Sequence, residues 1–298
     1  MTTVVERIDP APGYAPAAVL AKAQRENFPV ALRLLPRDHR IHLMAIYGFA
    51  RLVDDTGDEL DGGPVARLAA LDGLEAELDR AFGGTASQPV FRGLQSTIAE
   101  LHLDRRPFAD LIDANRVDQR VSRYATFDEL LGYCELSANP VGRLVLAVFR
   151  QNTPENARLS DLVCSGLQIV EHLQDVREDA DRGRIYLPEE DLRRFAVDGG
   201  ALSREGAAPT TAAAIRRLIA FEAGRARGML QEGASLVRRL KGWPAKVAVA
   251  GFAGGGLAQV DAIEQVEYDV VNRTAKASST QVATCAARLL LAGAKRSG

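Results

Sequence analysis

The sequence is short of the features that mark several protein classes. Its three cysteines, Cys134, Cys164 and Cys285, stand far apart without a CxxC pair. That excludes a disulfide framework or a zinc knuckle and fits a cytoplasmic setting. No apolar run reaches the roughly 18 residues of a membrane span. The nearest approach, "VAVAGFAGGGLA" at 247–258, is short and glycine-rich and reads as a close-packed internal helix. A formal net charge of −2 leaves no basic field of the kind nucleic acid requires. Acids and prolines occupy the first residues, where a signal peptide would carry a basic segment and an apolar stretch. No P-loop, GxGxxG, HExxH or GxSxG occurs, and "GFAGGG" at 251–256 does not follow a strand. Nucleotide folds, zinc proteases and α/β-hydrolases thereby lose their signatures.

Clear period-two alternation is missing as well. Ala, Leu and Arg dominate, β-branched runs are scarce, and the apolar spacing is helical almost throughout. Helices are predicted at 16–25, 38–59, 64–82, 88–102, 107–121, 126–149, 155–181, 189–196, 209–240, 243–272 and 278–294. With 47% hydrophobic and 26% charged residues, the 298-residue chain has the profile of a soluble globular protein with a sizeable core. No linker and no solenoid-type repeat divides it. The expectation is a loose tail over 1–15 and one all-α domain over 16–298.

Two acidic stripes stand out. On a helix over 38–59, Tyr47, Arg51, Asp54 and Asp58 follow at spacings of 4, 3 and 4 and share a face. Gln168, Glu171, Asp175 and Asp179 follow at 3, 4 and 4 on the other helix. Each stripe ends in Asp-x-x-x-Asp. An acidic stripe is ordinarily a solvated face, because like charges one turn apart repel. These two interrupt helices rich in Ile41, Ala45 and Leu52, or in Leu162, Ile169 and Leu173, and few Lys or Arg stand at i+4 to the acids. They are therefore expected to point into the bundle and to need cations there.

Oxygen-only donors favour Mg²⁺, which is normally held by a few carboxylates together with substrate phosphates. An EF-hand is a poor fit, since neither Gly57 nor Gly62 has acids at the loop's offsets before it. Arg33, Arg37, Arg40, Arg51, Arg182 and Arg184 flank the stripes. Any one of them alone is a surface charge or a structural ion pair; as a group they suggest diphosphate recognition. His39, His42 and His172 read as structural or solvated.

The segments "AIYGFARLVDDTGDE" and "LQIVEHLQDVREDADRGRIYLP" resemble the two aspartate motifs of the squalene/phytoene synthases. The similarity extends over about 20–280 and includes "YCELSANPVGRLVL" and "GGGLAQVDAIEQVEYDVV". Within the family, "RENFPVALRLLP", "SANPVG" and Gln174 are similar to the hopanoid-pathway hydroxysqualene synthase branch.

The resemblance implies an isoprenoid synthase helical bundle with a central apolar cavity and two or three Mg²⁺ ions, without a nucleotide cofactor. Asp54, Asp58, Asp175 and Asp179 would be metal ligands, with Glu171 in a slot where many members carry asparagine. Its added charge would alter metal number and affinity. Prenyl diphosphate would meet Gln24, Arg25, Asn27, Phe28, Arg37, Tyr47, Arg51, Gln168, Arg184, Tyr186 and Tyr268. The substrate would be presqualene diphosphate or farnesyl diphosphate, supplied and consumed by neighbouring pathway enzymes, with peripheral contact at the inner face of the cell membrane for a C30 product.

In the hydroxysqualene branch, loss of diphosphate gives a cation that rearranges and is captured by water. Pro140 sits inside a helical pattern, where it removes a backbone hydrogen bond. Asn139 and Ser137 add polar atoms at that kink and are expected to hold the water, unless the kink only shapes the tunnel. Two other functions stay open at this point: a complete squalene or phytoene synthase that joins two prenyl diphosphates head to head, and a non-catalytic helical assembly protein.

Overall fold

A computed structural model of the chain describes residues 35–203 and 208–294. Helices α1 (Arg37–Asp58), α2 (Gly63–Phe82), α3 (Pro89–Leu101) and α4 (Arg106–Asp118) come first. They are followed by α5 (Phe127–Ser137), α6 (Asn139–Val148), α7 (Pro154–Gln174) and α8 (Val176–Asp181). After α9 (Glu189–Arg194) come α10 (Pro209–Gly233), α11 (Leu236–Arg239), α12 (Trp243–Gln265) and α13 (Ser279–Ala294). No strand occurs among the described residues, as the all-α expectation required. The helix expected at 16–25 and the tail at 1–15 lie outside the described residues.

Local chemistry sets most boundaries. Thr126 and Thr153 cap α5 and α7, each side chain accepting a backbone N–H three residues on. Proline in the first turn starts α2, α3, α4, α6, α7, α10 and α12, where its missing N–H costs nothing. Glu77, fully buried on α2, caps α3 from outside by accepting from the backbone N–H groups of Ser87 and Gln88 at 2.5 and 2.7 Å.

Four expected long helices are broken. The span 126–149 divides at Ala138, because Pro140 cannot continue the ladder and instead opens α6. The span 155–181 divides at Asp175 itself (φ −98°, ψ 11°). The span 209–240 is interrupted between Gly233 and Leu236, and 243–272 stops at Gln265. In the last case Glu267 and Tyr268 take left-handed φ of 55° and 60°.

Two large apolar clusters hold the bundle. One joins α1 to α4, α6, α11 and the start of α12 around Phe49, whose ring meets Phe91 and Phe108 edge-on at 5.7 and 5.2 Å. The other joins α7, α10 and the middle of α12 to the 185–202 segment. The glycine-rich run of α12 is internal, as expected: a Cβ at Gly254 would press on the backbone of Ala286, so α12 and α13 meet at backbone distance. A parallel bridge between Arg123 and Ile185, with Ile185 N–H donating to Ser122 at 2.9 Å, brings the chain after α8 beside the chain before α5.

Candidate active site

The helical period of α1 puts Tyr47, Arg51, Asp54 and Asp58 on one face near its C-terminal end. Asp54 and Asp58 are accessible, so the stripe borders open space and is not packed against apolar side chains. Asp55, on the neighbouring face, is buried and pairs with Arg51 at 2.7 Å, and Glu59 lies 3.6 Å from the same guanidinium. Arg51 is thus engaged with Asp55 one turn on, while the stripe acids Asp54 and Asp58 have no Lys or Arg at i+4.

The two acidic stripes do come together. Arg184, in the loop after α8, donates to Asp58 Oδ1 at 2.8 Å, and its backbone N–H donates to the carbonyl of Asp179 at 2.8 Å. Burial opposes the Arg184 charge, but Asp58 outweighs it and holds the guanidinium's pKa above its usual range. Glu171 and Asp175 are accessible, and Asp179 is partly buried. Burial, followed by the nearby Asp175 charge, lifts the Asp179 carboxyl to about 7. Burial and Glu178 raise Asp175 as well. Asp54 is lifted to about 6, chiefly by the protein around it, although Asn115 and Arg51 oppose this.

Helix α4 supplies residues that sequence reasoning missed. Asn115 is buried and donates to Asp54 Oδ1 at 3.1 Å, and Gln119 donates to the carbonyl of Gly57 at 3.0 Å. Gly57 has no side chain because Asn115 fills the place where its Cβ would stand. Asp118 accepts from two phenols, Tyr133 at 2.7 Å and Tyr186 at 3.1 Å, and burial lifts its carboxyl to about 6. Tyr124 leans on both rings, and its hydroxyl is buried with no hydrogen-bond partner among the described residues. The faint signal was Leu111, Asn115, Asp118 and Gln119 at spacings of 4, 3 and 1, which places polar groups beside an apolar face.

His172 is structural, not solvated. Its ring stacks on Tyr186 with centroids 3.8 Å apart, and Gln168 Nε2 lies 3.3 Å from its Nε2. Burial pushes the imidazole down to about 3, so it sits neutral 3.9 Å from Asp179.

Other expected positions are scattered. Gln24, Arg25, Asn27, Phe28 and Arg33 lie outside the described residues. Arg37 stands at the opposite end of α1, seventeen residues and about 25 Å of helix from Asp54, so the structure does not bring it to the aspartates. Arg182 pairs with Glu178 at 2.8 Å. Tyr268 occupies the turn after α12, on a segment tied to the second stripe where Gln174 donates to the carbonyl of Ala275 at 3.3 Å. Asn139 is buried at the α5–α6 break and accepts from Ser165 at 3.0 Å, while Ser137 Oγ is buried without a partner among the described residues.

The chain is 34% identical over 222 residues to the hydroxysqualene synthase of Sinorhizobium fredii, covering 74% of this chain and 73% of that one. It is 32% identical over 253 residues to the phytoene synthase of Mycobacterium tuberculosis, covering 84% and 82%. Among solved structures, the squalene synthase HpnC of Alicyclobacillus acidocaldarius superposes with a TM-score of 0.73 at 40% identity, over 86% of this chain and 98% of that one. A dehydrosqualene synthase superposes with a TM-score of 0.81 at 24% identity, over 96% and 100%, and shares the fold. The squalene/phytoene synthase family model matches residues 21–281. With two aspartate motifs joined at one mouth of an all-α bundle and a family match over most of its length, the chain belongs to the squalene/phytoene synthases.

Proposed function

We propose that the protein is a magnesium-dependent enzyme of triterpenoid biosynthesis that converts presqualene diphosphate to hydroxysqualene. The observation that carries this reading is the Arg184 link, which makes one acidic, arginine-bearing mouth from the ends of α1 and α7. Similarity to hydroxysqualene synthases and to HpnC supports the branch.

The donor chemistry fits magnesium. Asp54 and Asp58 on one side, and Glu171, Asp175 and Asp179 on the other, offer hard oxygen atoms and no sulfur or imidazole. No three His, Cys, Asp or Glu among the described residues form a ready-made cage, which suits a metal that shares its shell with substrate phosphate. Bound magnesium would neutralise the departing diphosphate as a Lewis acid.

The chain's own residues do the rest. Arg184 and Arg51 add fixed positive charge at the mouth, where the leaving group's negative charge grows. Tyr133 and Tyr186 give their protons to Asp118 in hydrogen bonds, so each phenol oxygen turns only lone pairs toward a substrate or water. Apolar walls would keep the rearranging cation dry. The C–O bond to diphosphate breaks first; after the cation rearranges, water forms the new C–O bond and gives up one proton, for which the released diphosphate is the base at hand. Ser137 Oγ, buried and unpaired among the described residues, supports a water held at the α5–α6 break.

Asp54→Asn and Asp175→Asn should each lower turnover by at least about 100-fold while keeping the melting curve. Near-normal activity of either in magnesium would contradict the site. Similarity to phytoene synthases keeps a second reading, a complete synthase that condenses two prenyl diphosphates, and product identity separates the two. The non-catalytic assembly reading falls with membership of this enzyme family.

A further inference from the structure

The two helices that carry the acidic stripes both begin at one end of the bundle and finish at the other. Helix α7 runs 21 residues from Pro154 to Gln174, about 30 Å, and α1 is as long. Their starts share the end formed by the 149–153 loop, the C-terminus of α10, α11 and the first turn of α12. His39 of α1 stacks on Phe149 at 5.0 Å. Gln151 holds the corner before α12 by donating to the carbonyl of Lys241 at 2.9 Å and accepting its N–H at 2.6 Å.

On this corner Trp243 is 56% exposed, although it is a large apolar ring in the first turn of a helix. It is the one tryptophan among 298 residues. Leu291 is 65% exposed on α13. Helix α13 lies antiparallel on α12 through Gly254 and Ala286, so Leu291 falls toward the Trp243 end. Around them stand Arg150, Arg158, Arg238, Arg239 and Lys241, all exposed, and Lys246, half-buried. Among the described residues, Glu232 pairs with Arg158 at 3.0 Å, Glu155 lies beside Arg239, and Asp38 stands at the same end in the first turn of α1.

An exposed tryptophan ringed by cations that outnumber the carboxylates matches the chemistry of a membrane–water boundary. Indole settles at headgroup depth, while lysine and arginine bury their stems and reach lipid phosphates. Basic residues at such a surface strengthen binding to anionic lipid and weaken with salt. No helix among the described residues is long and apolar enough to cross a membrane, so the contact is peripheral.

We propose that this end of the bundle docks on an anionic lipid surface, with Trp243 and Leu291 entering the headgroup layer and Arg238, Lys241 and Lys246 meeting lipid phosphates. The acidic mouth then faces away from the anionic surface, which would repel it. The assignment is independent of which prenyl diphosphate the enzyme uses.

The single tryptophan makes the full-length chain its own reporter. Flotation and intrinsic fluorescence are measured with phosphatidylcholine vesicles, with and without phosphatidylglycerol, at low and high salt. The expected result is flotation with the anionic vesicles only, lost at high salt, together with a shift of Trp243 emission to shorter wavelength. The double variant Arg238→Glu/Lys241→Glu should bind at least about tenfold more weakly, with unchanged melting temperature and diphosphate release. Equal flotation with both vesicle types overturns the proposal, as does no flotation or flotation without the emission shift. An emission shift that follows protein concentration without vesicles also overturns it, and assigns the face to a second copy of the chain.

Discussion

Arg184 reaches 126 residues back along the chain to hold Asp58 at 2.8 Å, and that one contact turns two acidic helix ends into a single mouth. The guanidinium is half-buried between the motifs, with its backbone bonded to Asp179 and its side chain to Asp58. Replacing it leaves the helices but removes the bridge and, on the proposed reaction, a cation beside the leaving group. Arg184→Gln should lower kcat/KM by about 100-fold and move the melting temperature by only a few degrees. Steady-state diphosphate release and a thermal melt measure the two effects separately.

On the proposed reaction Asp118 orients two phenols and takes no part in bond breaking. Both phenols that it receives would lose their acceptor in Asp118→Ala, and an amide in Asp118→Asn turns an N–H toward at least one of them. Turnover in Asp118→Asn should fall about tenfold or more, while magnesium affinity measured without substrate stays near that of the native chain. Tyr133→Phe combined with Asp118→Asn should cost little beyond the larger single effect, because the two residues act as one unit.

Gly57 is a packing requirement of Asn115. A methyl group there overlaps the Asn115 amide, so Gly57→Ala must displace the group that orders Asp54. Helix propensity alone would favour alanine by about 1 kcal/mol, yet the variant should be destabilised by about 1–3 kcal/mol. Adding Asn115→Ala should restore the melting temperature without restoring activity. If Gly57→Ala alone melts higher than the native chain, the close approach is misjudged.

These residues also mark where sequence reasoning stopped. The stripes on α1 and α7 were readable because a helical period fixes which residues share a face, and Asp-x-x-x-Asp repeats it twice. Asn115 and Asp118 were not, because "DLIDANRVDQR" looks like any solvated acidic helix until its partner helix is known. Gly57 is visible in the sequence as a missing side chain, but nothing there says that Asn115 takes its place. The break at Ala138 was foreshadowed by Pro140. The one at Asp175 has no local breaker, and backbone bonds from Asp175 N–H to Glu171 and from Asp179 N–H to Asp175 carry the chain across it. Arg37 lies apart from the aspartates for a simpler reason: nearness in sequence to a motif on a long helix means distance along its axis.

A second buried carboxylate gives the fold a pH dependence away from the mouth. Glu222 is raised to about 8, first by burial and then by Asp191, with Arg225 opposing. Arg225 bonds both acids, at 2.5 Å to Asp191 and 3.0 Å to Glu222, beneath the rings of Phe127 and Phe221. The folded state thus keeps a proton that the unfolded chain releases near 4.5. Its stabilisation is complete below that value and is lost as pH rises toward 8, at up to about 1.4 kcal/mol per pH unit for one proton. Chemical denaturation of Glu222→Gln between pH 5 and pH 9 should show a flatter profile, with the variant gaining on the native protein at the alkaline end.

The central claim is the reaction, and one incubation tests it most directly. The enzyme is given magnesium and, separately, presqualene diphosphate or farnesyl diphosphate, with no reductant, and the extracted products are identified by mass and chromatography. The account predicts conversion of presqualene diphosphate to a C30 alcohol whose oxygen comes from labelled water, and no C30 product from farnesyl diphosphate alone. Head-to-head condensation of farnesyl diphosphate, or an inert presqualene diphosphate in the presence of magnesium, would contradict it.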